Sequence, residues 1–149
     1  MFGAIDTSAT GMTAERLRMD TIADNLANSN TTRTEDGGPY MRKVVRLEPR
    51  EKKERGIPGL ISLPRQGLSA RDSGRGVRAT EITEAEGEPK RVHDPSHPDA
   101  GEDGYVEKPN VEPVKEMVDM ITASRAFQAN TTAVESAKQM FNRALQIAH

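Results

Sequence analysis

The chain has 149 residues, a net charge of -2 and no cysteine, and Leu, Ile, Val and Phe make up only about 17% of it, below the level typical of chains built round a full core. Disulfides, thiolate metal sites and Cys nucleophiles are excluded, and the balanced charge gives no support to a nucleic-acid or anionic-membrane partner. No apolar stretch approaches the roughly 18 residues of a membrane span, and the start lacks the pattern of a cleaved secretory signal, so export would need another route. Such a composition reads as a small folded region with segments that gain order by packing against partners.

The first helix is expected to start after Asp6, Thr7 or Ser8 as cap and to run to about Ala27, with Gly11 as its weak point. Ile5, Met12, Met19 and Leu26 recur every seven residues, supported by Ala9, Ile22 and Ala23, while Leu17 lies on another face and points to a second contact. Asn25, Asn28 and Asn30 are candidates for fixing the helix end through backbone hydrogen bonds, with an ordinary helix stop as the plainer reading. This first unit spans 1–32.

Residues 33–110 read as a small β-rich insert, since most of the chain's Gly and Pro punctuate short β-prone runs: Arg42 to Leu47, Leu60 to Leu63 and Gly76 to Ile82. The polar spans Glu48 to Pro58 and Glu84 to Asp103 predict at least one mobile loop. Seven basic residues between Arg42 and Arg55 face seven acidic ones between Glu84 and Gly104; copies of the chain can attract one another this way, but charge runs are usually solvated faces.

The last unit, 111–149, predicts a long helix capped by Asn110, with Pro113 in its first turn and its end near His149. Met120, Phe127, Val134 and Phe141 repeat the seven-residue interval, with Ala123, Ala137 and Ala144 beside them. Met117, Val118, Ile121, Met140, Leu145 and Ile147 spread apolar surface round the helix, so it should touch more than one neighbour. The fold class expected is α+β: long terminal helices forming an antiparallel coiled coil, with a small β-rich insert between them.

Chemistry has little to stand on. His93, Asp94, His97 and Asp99 offer metal-ligand types, but Pro95 and Pro98 argue for a rigid turn in which the two Asp close backbone hydrogen bonds. Gly74-Arg75-Gly76 lacks the rest of a phosphate loop, and no serine sits in a nucleophile elbow. Neither a cofactor nor a small-molecule substrate is expected.

Arg18-Met19-Asp20-x-Ile22-x-x-Asn25-Leu26-Ala27-Asn28-x-Asn30-Thr31-Thr32 resembles the N-terminal signature of the bacterial flagellar rod and hook axial proteins. Pro109-Asn110-Val111, Glu116 to Ile121 and Ala123 to Asn130 resemble the matching C-terminal signature. In between, Gly38-Pro39-Tyr40-x-Arg42-Lys43, Gly76-Val77-Arg78 and the run from Asp94 to Val106 are similar to the proximal-rod branch of that family. The resemblance implies a structural subunit of the flagellar basal-body rod, crossing the periplasm and passing motor torque to hook and filament. It further implies export without a cleaved signal through the flagellar type III apparatus. The partners implied are further copies of the chain and the rod proteins FlgB, FlgF, FlgG and FliE. The assembly interface is then expected at the helix positions Ile5, Met12, Met19, Ile22, Leu26, Met117, Met120, Ile121, Phe127, Val134, Met140, Phe141 and Leu145. Three rival readings are another rod or axial subunit, a cytosolic helical adaptor and a metal-dependent hydrolase using residues 93–99.

Overall fold

The structure, a computed structural model, describes residues 2–35, 37–50 and 76–147. Its elements in chain order are α1 (Phe2–Ala27), β1 (Lys43–Pro49), β2 (Val77–Glu84), β3 (Lys90–His93), β4 (Tyr105–Lys108) and α2 (Pro113–Ile147). The architecture is α+β, two long helices with two small antiparallel sheets between them in sequence, β1 with β2 and β3 with β4.

Helix α1 begins before the expected caps. The Thr7 hydroxyl donates to Gly3 O at 2.8 Å, and Thr13 and Thr21 make the same bond four residues back, to Ala9 and Leu17. These hydroxyls are satisfied inside the helix, so none of them stops it at its start. At the other helix Pro113 occupies the first turn, where its missing N-H costs nothing, and the first helical bond runs from Glu116 N to Glu112 O. Asn110 is therefore not the cap. Its Oδ1 instead accepts the Arg42 backbone N-H at 2.8 Å.

The helices run antiparallel. Gly11 lies against Asn130, where an added Cβ would sit 3.0 Å from the Asn130 amide nitrogen, and Asn25 bonds Glu116. Between these two contacts each helix advances fourteen residues, in opposite directions. Apart from Ile22, the side chains buried on the two helices are small or polar: Ala14, Thr21 and Asn25 on α1, and Glu116, Ala123 and Ala137 on α2. Gly11, the weak point in helix propensity, is where the Asn130 side chain packs directly on α1.

Sheet β1–β2 lies along α1. Lys43 at the start of β1 bonds Asn25, and Val77, paired with Pro49 at its far end, bonds Thr10. The fifteen steps from Thr10 to Asn25 span about 22 Å at 1.5 Å each, and the six steps from Lys43 to Pro49 span about 20 Å at 3.3 Å each, so strand and helix nearly match in length. Thr80 is the extra residue of a bulge opposite Arg46 and Leu47. Leu17 lines the cleft under this sheet with Thr10, Thr13 and Val77, which locates the second contact its position suggested.

The span from Glu84 to Asp103, expected as a candidate mobile loop, contains β3 and an ordered turn. Val92 pairs with Val106, which is fully buried, and Asp94 N donates to Gly104 O at 3.0 Å. The expected strand Leu60 to Leu63 and the end of the basic run, Lys52, Lys53 and Arg55, lie outside the described residues.

Candidate functional site: a buried polar junction

Asn25 joins the two helices and the first sheet. Its Oδ1 accepts the Lys43 N-H at 2.8 Å and the Tyr40 hydroxyl at 3.0 Å, and its Nδ2 donates to Lys43 O at 2.8 Å and to Glu116 Oε2 at 3.2 Å. A side-chain amide has two donors and an oxygen with two lone pairs, so these four bonds use all of its capacity. To the backbone of Lys43 it acts as a neighbouring strand would, taking both the N-H and the C=O.

Glu116 is fully buried at the end of α2 next to β1, and its second oxygen accepts Arg42 Nε at 2.6 Å. The same guanidinium reaches Asp119 Oδ2 at 3.5 Å, one turn further along α2. Water still reaches Arg42, whose side chain is 22% exposed, which eases the cost of placing charge here. The Arg42 backbone is held on both sides, by Asn110 Oδ1 at its N-H and by the Ala85 N-H at its carbonyl, 2.7 Å away. Segment Tyr40 to Lys43 is thus stitched to α1, α2 and the end of β2.

Burial, and then the charges of Asp24, Glu116 and Glu84, push the Tyr40 phenol above its ordinary value. A pKa raised in the folded state stabilises the fold fully below about 10, the ordinary tyrosine value, and the contribution is lost as pH climbs through the folded value. Alkaline titration followed by tyrosinate absorbance should show a late step that disappears in Tyr40→Phe; an unchanged profile would contradict the placement of this hydroxyl.

The sequence candidates are distributed as follows. Ile22 and Asn25 are buried; Ile5, Met12, Met19, Leu26, Met120, Phe127 and Val134 are half-buried; Met117, Ile121, Met140, Phe141 and Leu145 are exposed. Met12 Sδ accepts the Thr131 hydroxyl at 3.4 Å across the helix pair. Of the three asparagines, Asn28 sits at the helix end, donating to Asp24 O at 2.9 Å and accepting the Thr31 hydroxyl at 3.2 Å, and Asn30 is exposed. Asn25 does something else, the long-range bonding described above. Tyr40, Arg42 and Glu116 stood in the sequence only as members of the family motifs, with no role of their own; the signal for Glu116 is its seven-residue interval with Ala123, Asn130 and Ala137, a line of small and polar residues that marks the close side of α2.

The His93 to Asp99 segment is a turn. Asp94 accepts the Ser96 hydroxyl at 2.7 Å, a bond that holds its carboxyl below the ordinary range, and His97 Nδ1 accepts the Asp99 N-H at 3.1 Å. His93 packs edge-on against Tyr105, with ring centres 5.0 Å apart. Among the described residues no group of three or more His, Asp or Glu is placed to hold a metal.

Both terminal regions of the chain match known families. A family model described as flagella basal body rod protein matches residues 5–33, and the model for the C-terminal part of flagellar basal body rod FlgEFG proteins matches residues 102–147. The flagellar basal-body rod protein FlgC of Borreliella burgdorferi is 44% identical, over 99% of this chain and 97% of its own length. FlgC of Bacillus subtilis is 40% identical over 98% and 97%, and that of Aquifex aeolicus 42% over 98% and 96%. The chain belongs to the FlgC family of flagellar basal-body rod proteins. In this FlgC-type subunit the two matched regions take in α1 from Ile5 onward and all of α2, and the junction at Asn25 and Glu116 joins one to the other. It is a structural subunit of the flagellar basal body, not an enzyme.

Proposed function

We propose that α1 and α2 form one axial domain, paired as an antiparallel coiled coil in the wall of the rod, with residues 33–110 as a separate insert that braces it. The observation that carries this reading is the distribution of apolar surface on α2. Small residues are buried along α2, while Met117, Val118 and Ile121 near its start and Met140 and Leu145 near its end remain exposed. An exposed row of this kind marks an interaction surface, and neighbouring copies and the rod proteins FlgB, FlgF, FlgG and FliE are the partners that suit it. The polar junction suits torque transfer, because it fixes the sheet to both helices at a single buried point.

The same reading takes the chain out through the flagellar type III apparatus without a cleaved signal, into the rod across the periplasm, where it transmits the rotation needed for swimming. A core made largely of alanines gives the isolated helix pair little to offset roughly 1 to 2 kcal/mol of backbone entropy per residue. The helices are therefore expected to gain much of their order on assembly. No helix among the described residues is long and apolar enough to cross a membrane.

Phe127 is half-buried beside the α1 contact, and a neighbour in the rod would cover the rest of it. Deleting a large packed aromatic costs about 3 to 5 kcal/mol. Phe127→Ala is expected to keep the chain soluble but stop its incorporation, leaving cells non-motile in a complementation assay. Normal swimming in that strain would overturn the helical-wall reading.

A further inference from the structure

The turn that leads into β4 carries chemistry of its own. Gly104 has φ +76°, and an added Cβ would lie 3.2 Å from His93 Nε2 and 3.3 Å from Pro95 Cγ, so the fold requires glycine at this position. The residue before it is the exposed Asp103, which makes an Asp-Gly pair at the entry to the strand. In such a pair no side chain shields the glycine amide nitrogen from the carboxyl group beside it, and the two can close a five-membered imide.

In this turn both reacting groups are held elsewhere. The Gly104 N-H donates to Gly101 O at 2.9 Å. Of the Asp103 oxygens, Oδ2 accepts Arg91 Nη2 at 2.7 Å and Oδ1 accepts the Tyr105 N-H at 3.3 Å. Arg91 is itself positioned, its guanidinium 5.2 Å from the centre of the Tyr105 ring, and the Gly101 N-H closes the turn on Tyr105 O at 3.0 Å. Ring closure turns Asp103 Cγ onto Gly104 N, which breaks the bonds to Arg91 and Tyr105, and it removes the proton that Gly101 O holds.

We propose that Asp103-Gly104 is a latent isoaspartate site, kept closed by Arg91 and by the hydrogen-bonded turn. In the reaction that they restrain, Gly104 N bonds to Asp103 Cγ. The carboxyl group, having taken a proton from water, gives up its O-H, and with the Gly104 amide proton this leaves as water. Water then opens the imide at either carbonyl, restoring Asp or leaving isoaspartate, whose backbone runs through the former side chain and is one carbon longer. That extra atom falls two residues before Tyr105 pairs with His93 and Val106 with Val92, so it would push β4, with its fully buried Val106, out of register on β3. The tie between Arg91 and Asp103 therefore protects a covalent bond as well as a fold.

The purified chain, kept for weeks in neutral buffer either folded or in concentrated urea, supplies the test. Isoaspartate at position 103 is counted by electron-transfer fragmentation, which breaks the isoaspartyl Cα–Cβ bond and gives fragments that Asp does not. The folded chain is expected to convert at least about tenfold more slowly than the chain in urea. Arg91→Met, which keeps the length of the side chain and removes its donors, should convert about threefold faster than the folded natural chain, the size of effect that an exposed ion pair supplies. Arg91→Lys, which restores the charge, should return the rate towards the original. Equal rates in buffer and in urea would show that the turn gives no protection. A folded Arg91→Met chain converting no faster than the natural one, or an Arg91→Lys chain as fast as Arg91→Met, would overturn the role of Arg91.

Discussion

Asn25→Leu is expected to unfold the junction, and with it most of the cooperative structure. The substitution keeps the branched outline, though Leu is the larger side chain, and removes four hydrogen bonds, leaving the Lys43 N-H and C=O, the Tyr40 hydroxyl and one Glu116 oxygen without this partner in a buried place. Each orphaned buried group costs about 1 to 3 kcal/mol, and since they share one site the losses do not simply add, so a total of about 4 kcal/mol is expected. That is a large part of the 5 to 15 kcal/mol typical of a whole domain. Urea denaturation should show a much lower midpoint, and a shift under 1 kcal/mol would contradict the assigned role. Asn25→Asp separates geometry from charge. It places a carboxylate against Glu116, so its folded-state pKa is raised, and its stability should be best at acid pH and fall as pH rises through that value.

Gly76→Ala is the second change with a large expected effect. Gly76 has φ +88°, and an added Cβ would overlap the Thr10 hydroxyl that accepts the Val77 N-H. The left-handed backbone alone costs a residue with a Cβ roughly 1 to 2 kcal/mol, and the overlap forces β2 off α1 besides. A loss above about 3 kcal/mol is expected. Thr10→Ala removes the obstructing oxygen, so the double variant should be less destabilised than the sum of the two singles. Strict additivity in that cycle would show that the close approach of Gly76 to Thr10 is not what limits the site.

These two positions show what a sequence can and cannot reveal. The terminal helices were legible because seven-residue recurrence survives any context, and strands Lys43 to Pro49 and Val77 to Glu84 because β-branched runs between Gly and Pro are local signals. The family was legible too, through motifs at both ends. The side of each helix that faces the other was not. Large residues at the seven-residue interval, such as Met19 and Phe127, look like a core, yet this helix pair is closed by Gly11, Ala14, Ala123 and Ala137, which allow close approach. Long-range polar roles were hidden for a related reason. Asn25 and Asn110 carry the side chains of helix ends and caps, and only the fold brings Lys43 and Arg42 within 2.8 Å of them. Four-residue strands such as β3 and β4, set in a polar stretch, leave too short a pattern to read.

The separation of small buried residues from large exposed ones has a functional sense. A subunit whose best apolar side chains were spent on its own core would have few left for its neighbours. Here α2 keeps Val118, Ile121, Met140 and Leu145 on the outside, and a buried charged and amide junction, which cannot be satisfied in another register, sets the alignment of the two helices. Polar groups at single interior positions are well attested as register devices in helical assemblies.

The most direct test of the whole account is a density map of the intact basal body, sharp enough to follow side chains. It should show this chain in the rod wall, with Asn25 in contact with Glu116 and Lys43, and with Val118, Ile121 and Leu145 covered by neighbouring subunits. Rod density that fits other sequences throughout, or this chain traced with those three residues facing solvent, would contradict it.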